Sequence, residues 1–352
     1  MSQPVCGVLV SPPGHAGRVS SFRFPDGVEL LGGGNGEDAQ LKVDIPLDDD
    51  GYFGRVCPDC GQHFRVAHED YDALPDDLRL WCVYCGHHDD HSEFVTQQQL
   101  DRALRAVGDY GVQLLGRTLD QCFGRAAQQS SGFLTYRSEP FYPSPLPGID
   151  EERLIRERRC ASCEVRYAIF GEHRFCPVCG QLPPLVTAID ALEAEMVRLD
   201  MLADLEPTAR ATLREAGVLD RTYVDTIENV VGIVEALADR VFRSKVPDAG
   251  EVLKGKGKIF QRLDELADLF HAETSVDVRS TVSPVAWGHL LGAWAARHVF
   301  THCDGMVDAR YCTTVPHTSL KVGQRLRITE TDCRSAIANA EVLCRALATI
   351  GE

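Results

Sequence analysis

The amino-acid sequence predicts an α+β protein in which two small cysteine-rich β units precede an antiparallel bundle of α-helices. Two observations lead to this prediction. Cys-x-x-Cys knuckles occur in two pairs in the N-terminal part of the chain, and apolar residues recur at helical spacing through most of the C-terminal part. A chain of 352 residues is also long for a single hydrophobic core, so we expect several domains.

Composition and turn signals divide the chain into six predicted segments. They are a short β-like N-terminal segment (1–50), a first cysteine unit with its following helix (51–128) and a Pro- and Ser-rich linker (129–150). A second cysteine unit (151–184), a connecting helix (185–219) and a helical domain (220–352) follow. Short strands are predicted over 7–10, 28–31 and 41–45, and helices over 96–119, 185–216, 223–242, 259–271 and 284–303. A short hairpin is predicted over 320–328, and a last helix begins at the Thr329-x-x-Asp332 capping box.

The first cysteine unit contains two Cys-x-x-Cys-Gly knuckles, formed by Cys57 with Cys60 and by Cys82 with Cys85. Each knuckle places two thiolates on one tight turn, and four thiolates make a tetrahedral zinc site. Disulfides are the alternative, but they fit a secreted protein, and we find no signal peptide. A redox Cys-x-x-Cys would require a βαβ context that the sequence does not offer.

The second cysteine unit repeats this pattern with Cys160, Cys163, Cys176 and Cys179. Between its knuckles, residues 165–171 alternate and end at a glycine, as in a β-hairpin. Both units resemble bacterial zinc ribbons, so the sequence predicts two structural Zn²⁺ sites of four cysteines each.

Two other polar clusters are read as surface features. Residues 87–91, His-His-Asp-Asp-His, could form a further metal site, but four cysteines already saturate the first zinc, so a polar loop is favoured. Residues 48–51, Asp-Asp-Asp-Gly, lack the alternating acids of a calcium loop and predict a turn.

The overall charge argues against strong nonspecific binding to duplex nucleic acid. Lys and Arg total 36 against 52 acidic residues, a net charge of −16, and such binding depends on neutralising phosphates. A local basic groove remains compatible with this composition. The arginines Arg153, Arg156, Arg158 and Arg159 alternate with glutamates, which favours a solvated mixed-charge surface over nucleic-acid contact. With no apolar run long enough for a bilayer, we expect a cytoplasmic protein.

The helix predicted over 284–303 ends in an unusual polar cluster. Arg297, His298, Thr301 and His302 stand where a packing helix would continue with Leu or Ala, and Gly305 can terminate the helix. Arginine binds phosphate oxygens bidentately through its planar guanidinium group, and histidine transfers protons near neutral pH. A purely structural alternative is a capped, hydrogen-bonded helix end. A further alternative is a zinc site formed by the histidines with Cys303.

The spacing Arg297-x4-His302 resembles the motif of HEPN-domain ribonucleases. Its sequence context extends the resemblance over roughly residues 220–350, through a preceding Lys-Gly-Lys helix start at 256–261 and the segments 304–311 and 322–326. The resemblance implies an antiparallel α-helical HEPN-like bundle after the two Cys₄ zinc ribbons. It also implies a homodimer, because these enzymes bring two motifs face to face.

The same resemblance implies a metal-independent endoribonuclease, of the kind that acts as a toxin or anti-phage defence effector. Arg297 would clamp the phosphate, His302 would be the main acid/base, and His298 would assist or orient it. The ribbons would then recognise RNA or a protein partner. The rival hypothesis is a non-catalytic scaffold, in which ribbons and bundle together bind protein or nucleic acid.

Overall fold

The computed structural model describes residues 5–10, 22–32, 39–75, 77–130, 133–150 and 156–351. Its mixture of small sheets and helices confirms the α+β class. The chain forms two compact units, Met1–Gln181 and Leu182–Glu352, called here the N-terminal and C-terminal units. Within the described ranges, no helix is long and apolar enough to cross a membrane.

Eleven strands lie in the described part of the N-terminal unit. They are β1 Val5–Val10, β2 Val28–Gly32, β3 Ala39–Asp44, β4 Tyr52–Val56, β5 His63–Ala67, β6 Arg79–Trp81, β7 His88–Asp90, β8 Arg156–Arg159, β9 Arg166–Ile169, β10 Phe175–Cys176 and β11 Gly180–Gln181. They form a three-stranded sheet β1-β3-β2, a four-stranded sheet β4-β5-β9-β8 and two two-stranded ribbons, β6-β7 and β10-β11.

Ten α-helices lie in the described ranges, two in the N-terminal unit and eight in the C-terminal unit. They are α1 His68–Asp72, α2 Gln97–Gln129, α3 Pro184–Ala203, α4 Pro207–Glu215, α5 Val218–Lys245, α6 Ala249–Leu253, α7 Leu263–Thr274, α8 Pro284–His302, α9 Ala309–Thr314 and α10 Glu330–Gly351. Short 3₁₀ turns cover His91–Phe94, Ile259–Gln261 and Val278–Ser280.

The three-stranded sheet packs on helix α2. Strand β3 buries alternate residues, including Leu41 and Val43, against Ala106 and Tyr110 of that helix. The helix begins at a capping box, because Thr96 accepts a bond from the Gln99 amide and the Gln99 side chain bonds the Thr96 amide. The alternation of apolar residues and the Thr96 cap were both read correctly from the sequence.

The two cysteine units are joined in one sheet, which the sequence repeat did not predict. Strand β5 of the first unit pairs antiparallel with β9 of the second, with Arg65 opposite Ala168 and Val66 opposite Tyr167. The Trp81 amide also donates to the Pro177 carbonyl at 2.9 Å, and the Phe175 amide donates to Val83 at 3.1 Å. The two ribbons therefore share one sheet and are hydrogen-bonded to each other.

The Pro- and Ser-rich linker has no helix or strand over 133–150, as expected, but it is anchored to α2. Gln98 of α2 bonds both the amide and the carbonyl of Asp150, at 2.6 and 3.1 Å. Arg102 donates to the Pro147 carbonyl at 2.6 Å. Side chains of α2 thus satisfy backbone groups of a segment that has no strand partners.

The C-terminal unit encloses one hydrophobic core built around α5. That helix packs against α3, α8 and α10. Its inward face buries Val230, Val234, Leu237 and Val241 at helical spacing. The helical content agrees with the sequence, although no finding identifies the arrangement as a HEPN bundle.

Four local predictions are wrong. The helix expected over 185–216 is two helices, because Pro207 starts α4 as its first residue and a proline ring does not fit a helix interior. No hairpin forms over 320–328; Arg325 instead bridges to Met306 in the loop after α8. The polar loop expected at 87–91 contains strand β7, which pairs with β6. In addition, the helix expected from 259 begins as a 3₁₀ turn before α7.

We expect Glu164→Gly to stabilise the second ribbon. Glu164 adopts a left-handed conformation with φ 63° where the other knuckles carry glycine, and this conformation costs an L residue roughly 1–2 kcal/mol. The measurement is amide hydrogen exchange in β8 and β9, which should slow.

Glu164→Ala is the matched control. It removes the exposed 2.9 Å ion pair with Arg159 but keeps a Cβ in the strained conformation. If the alanine variant gains as much protection as the glycine variant, backbone strain is not the cause.

Candidate functional site

The first cysteine cluster brings together the four residues predicted from its two knuckles. The Sγ atoms of Cys57 and Cys85 are 3.7 Å apart, and those of Cys60 and Cys82 are 3.6 Å apart. A tetrahedral ion with Zn–S bonds of about 2.3 Å requires sulfurs about 3.8 Å apart. The cluster is therefore confirmed and could bind a metal ion such as zinc.

The second cluster has the same construction. Its sulfur pairs, Cys160 with Cys179 and Cys163 with Cys176, are separated by 3.3 and 3.5 Å. The four ligand atoms lie within 4.8 Å of one another, so this group could also hold a metal ion. Both clusters are consistent with zinc ribbons.

Backbone geometry explains why the knuckles present their sulfurs together. In three of them the residue after the second cysteine donates its amide to the carbonyl of the first cysteine, at 2.9 to 3.1 Å. Peptide amides also point at sulfur: His87 donates to Cys85 at 3.5 Å, and Val178 donates to Cys176 at 3.4 Å. Such amide bonds stabilise negative charge on a thiolate ligand.

The histidines beside the first cluster have other partners. His88 stacks on Trp81 with ring centroids 4.1 Å apart, and Nδ1 of His91 lies 2.6 Å from the Tyr71 hydroxyl. His87 faces Asp89, with Nε2 and Oδ2 3.8 Å apart. His88 and His91 therefore contact aromatic side chains of the same unit.

Helix α8 carries the polar cluster on a rigid support. Ser283 caps its N-terminus by accepting the Ala286 amide at 3.2 Å, and Pro284 occupies the first turn. Leu290 and Val299 are buried on its inward side. The helix ends at His302, as the sequence predicted to within one residue.

The end of α8 is fixed by a left-handed turn. Asp304 and Gly305 have φ of 49° and 76°, and the Gly305 amide donates to the Val299 carbonyl at 3.1 Å. A Cβ at position 305 would lie 3.0 Å from the Phe300 ring, so glycine is favoured by the left-handed conformation and by the close approach of this ring.

The three candidate catalytic residues open into one cleft of about 370 Å³, called here the motif cleft. Its lining side chains are Lys258, Gln261, Arg262, Leu263, Asp264, Glu265, Leu291, Trp294, Ala295, Arg297, His298, His302, Arg310, Tyr311 and Thr314. Arg297, His298 and His302 are thus brought together. Thr301 is not part of the lining and donates to Glu228 at 3.2 Å.

Neighbouring side chains hold the motif residues in place. Arg297 donates through Nη1 to the Gln261 amide oxygen at 3.0 Å. The rings of His298 and His302 are tilted by 51° with centroids 5.0 Å apart. Burial, followed by the positive charge of Arg310, lowers the pKa of His298, so this imidazole favours its neutral form.

The motif cleft has a local excess of positive charge. Lys258, Arg297 and Arg310 have no carboxylate partner within 4 Å among the described residues, whereas Arg262 is paired with Glu265 at 2.8 Å. A chain of net charge −16 therefore exposes several uncompensated cations around its two cleft histidines. Such a site attracts anions with arranged oxygens, such as phosphates.

Asp308 is a site residue that the sequence reasoning missed. Its Oδ2 lies 3.7 Å from Nε2 of His298 and 3.8 Å from Sγ of Cys303. Burial, followed by the charge of the Asp308 carboxylate, raises the pKa of the Cys303 thiol. Asp308 caps α9 by accepting the Tyr311 amide at 2.7 Å, so the Asp-x-x-Tyr spacing could have indicated an ordered carboxylate here.

Comparisons with protein-family models, with curated proteins and with solved structures give no match. The resemblance to HEPN ribonucleases therefore rests on the motif and its sequence context alone.

Replacing Cys57 with serine should remove metal from the first cluster and also loosen the second ribbon. Binding of a structural metal is coupled to folding, and β5 pairs with β9 across the two units. We expect less metal per chain by mass spectrometry and faster amide exchange in both β5 and β9, while α5 and α10 keep their protection.

Cys122→Ser is the control, because this cysteine is exposed on α2 and belongs to neither cluster. It should leave metal content and exchange unchanged. Normal protection of β9 in Cys57→Ser would show that the ribbons fold independently.

Proposed function

We propose that this protein is a metal-independent endoribonuclease of HEPN type, with two structural zinc ribbons that recognise RNA or a protein partner. The observation that supports it best is the motif cleft, where Arg297, His298 and His302 meet among uncompensated cations. Cleavage of cellular RNA would suit a toxin or defence effector, the role that the resemblance implies.

Cleavage through the 2′-hydroxyl requires a base, an electrostatic clamp and an acid. Arg297 serves as the clamp, since a guanidinium stays protonated and grips two phosphate oxygens; its bond to Gln261 orients the fork. His302 is the principal proton-transfer group, and its neighbour His298 orients it or takes a second proton.

The chemistry favours two copies of the motif in one active site. A base and an acid must act on opposite sides of the scissile phosphate, which one imidazole can hardly reach at once. Facing motifs from two chains would supply the second group, and a twofold axis would make the contacts reciprocal.

We expect purified protein to cut single-stranded RNA in the presence of a metal chelator for as long as the ribbons keep their zinc, leaving 2′,3′-cyclic phosphate and 5′-hydroxyl ends. A 2′-deoxy substitution at the scissile nucleotide should abolish cutting, because it removes the nucleophile. His302→Ala should slow cleavage by ~10²–10⁴-fold, the usual contribution of one acid/base group. Arg297→Lys should also impair it, because lysine keeps the charge but loses the planar fork.

His289→Ala is the matched control for these variants. His289 is an exposed histidine on the same helix, near Asn339 and outside the motif cleft. Its removal should leave the cleavage rate unchanged. Full activity in His302→Ala, or cutting that needs magnesium, would refute the mechanism and favour the non-catalytic scaffold.

The second expectation concerns assembly. Sedimentation at micromolar concentration should give twice the 38.8 kDa chain mass. Cross-links placed beside the motif should join the C-terminal units of two chains. A monomeric species that retains cleavage would overturn the facing-motif arrangement.

A further inference from the structure

A third group of metal-binding side chains lies at the end of α8, far along the chain from the cysteine knuckles. His298, Cys303 and Asp308 offer a nitrogen, a sulfur and an oxygen, all within 4.8 Å of one another. All three residues are half-buried, so the group is sheltered but reachable from solvent.

The spacing of these atoms suits a tetrahedral ion. Zinc bonds of about 2.3 Å to sulfur and about 2.0–2.2 Å to nitrogen and oxygen imply ligand atoms roughly 3.3–3.6 Å apart. The Asp308 oxygen lies 3.7 Å from the His298 nitrogen and 3.8 Å from the Cys303 sulfur. The His298 nitrogen and the Cys303 sulfur also lie within 4.8 Å of each other, so side-chain adjustment would bring all three ligand atoms to coordination distances.

The loop that carries Asp308 is already ordered for this role. Its carboxylate uses Oδ1 to accept the Tyr311 amide, which leaves Oδ2 directed at the other two ligands. The Val307 amide donates to Gln324 and the Leu326 amide donates to Gly305, both at 2.8 Å. A site whose ligands are held before binding loses less entropy when the metal arrives.

We propose that His298, Cys303 and Asp308 form a third divalent-metal site of the zinc class, with one coordination position left for water or another exogenous ligand. A thiolate and an imidazole select zinc-like ions over magnesium or calcium, which prefer oxygen ligands alone. Three protein ligands with an open position distinguish this site from the closed Cys₄ clusters.

The site shares His298 with the motif cleft. A metal bound there would withdraw this imidazole from any proton transfer in the cleft. Metal binding itself does not depend on the proposed ribonuclease function, so a metal count made without RNA tests the site separately from cleavage.

The test is the zinc content of the full chain after loading and removal of excess metal. Wild type should bind one zinc ion more than Cys303→Ser and one more than Asp308→Asn. Cys312→Ser is the matched control, because this half-buried cysteine lies in the same region but bonds the Leu320 carbonyl, at 3.8 Å. It should bind as many ions as wild type. Equal zinc content in wild type and Cys303→Ser would overturn the proposal.

A second readout needs no variant and applies even if a substitution prevents folding. Alkylation of native wild type, mapped by mass spectrometry, should modify Cys303 less in the presence of Zn²⁺ than in Mg²⁺. The exposed Cys122 should react equally in both. Equal modification of Cys303 with and without zinc would likewise overturn the site.

Discussion

The left-handed turn at Asp304 and Gly305 is the constraint on which the motif region depends. It ends α8 at His302 and reverses the chain, so that Asp308 returns to the helix end beside His298 and Cys303. The Leu326 amide also donates to the Gly305 carbonyl, so the segment that contains Leu326 helps to hold this loop in place. Gly305 has a left-handed φ of 76°, and a Cβ there would lie only 3.0 Å from the Phe300 ring, so another residue at this position would be strained.

His298 takes part in both proposals, the ribonuclease cleft and the third metal site. It lines the motif cleft next to His302, and its Nε2 faces the Asp308 carboxylate. Burial and then the positive charge of Arg310 lower the pKa of His298, and they outweigh the Asp308 carboxylate, which raises it, so the surroundings favour the neutral ring. A neutral imidazole can accept a proton or bind a metal, but one nitrogen does not do both at once.

Sequence reasoning succeeded where the determining interactions are local. The knuckles, the Thr96 capping box, the Thr329 cap and the end of α8 each depend on residues a few positions apart. It failed where partners are distant in sequence. Pairing of Arg65 with Ala168 could not be read from either ribbon alone. Likewise, segment 320–328 has alternating residues, but its backbone bonds go to the loop after α8. Asp308 was missed because that same loop brings it back to His298.

The distribution of cores implies different roles for the metals. In the N-terminal unit the two ribbons bury apolar side chains such as Phe64, Tyr167 and Ile169 and are hydrogen-bonded to each other through β5, β9 and the Phe175 backbone. A metal bound by either set of four cysteines would tie together knuckles that belong to this shared structure. The C-terminal unit has an extensive apolar core of its own, from Ala188 to Leu347. Because Asp308 lies in the loop after α8 and is not part of that core, we expect a metal bound there to change the site more than the fold.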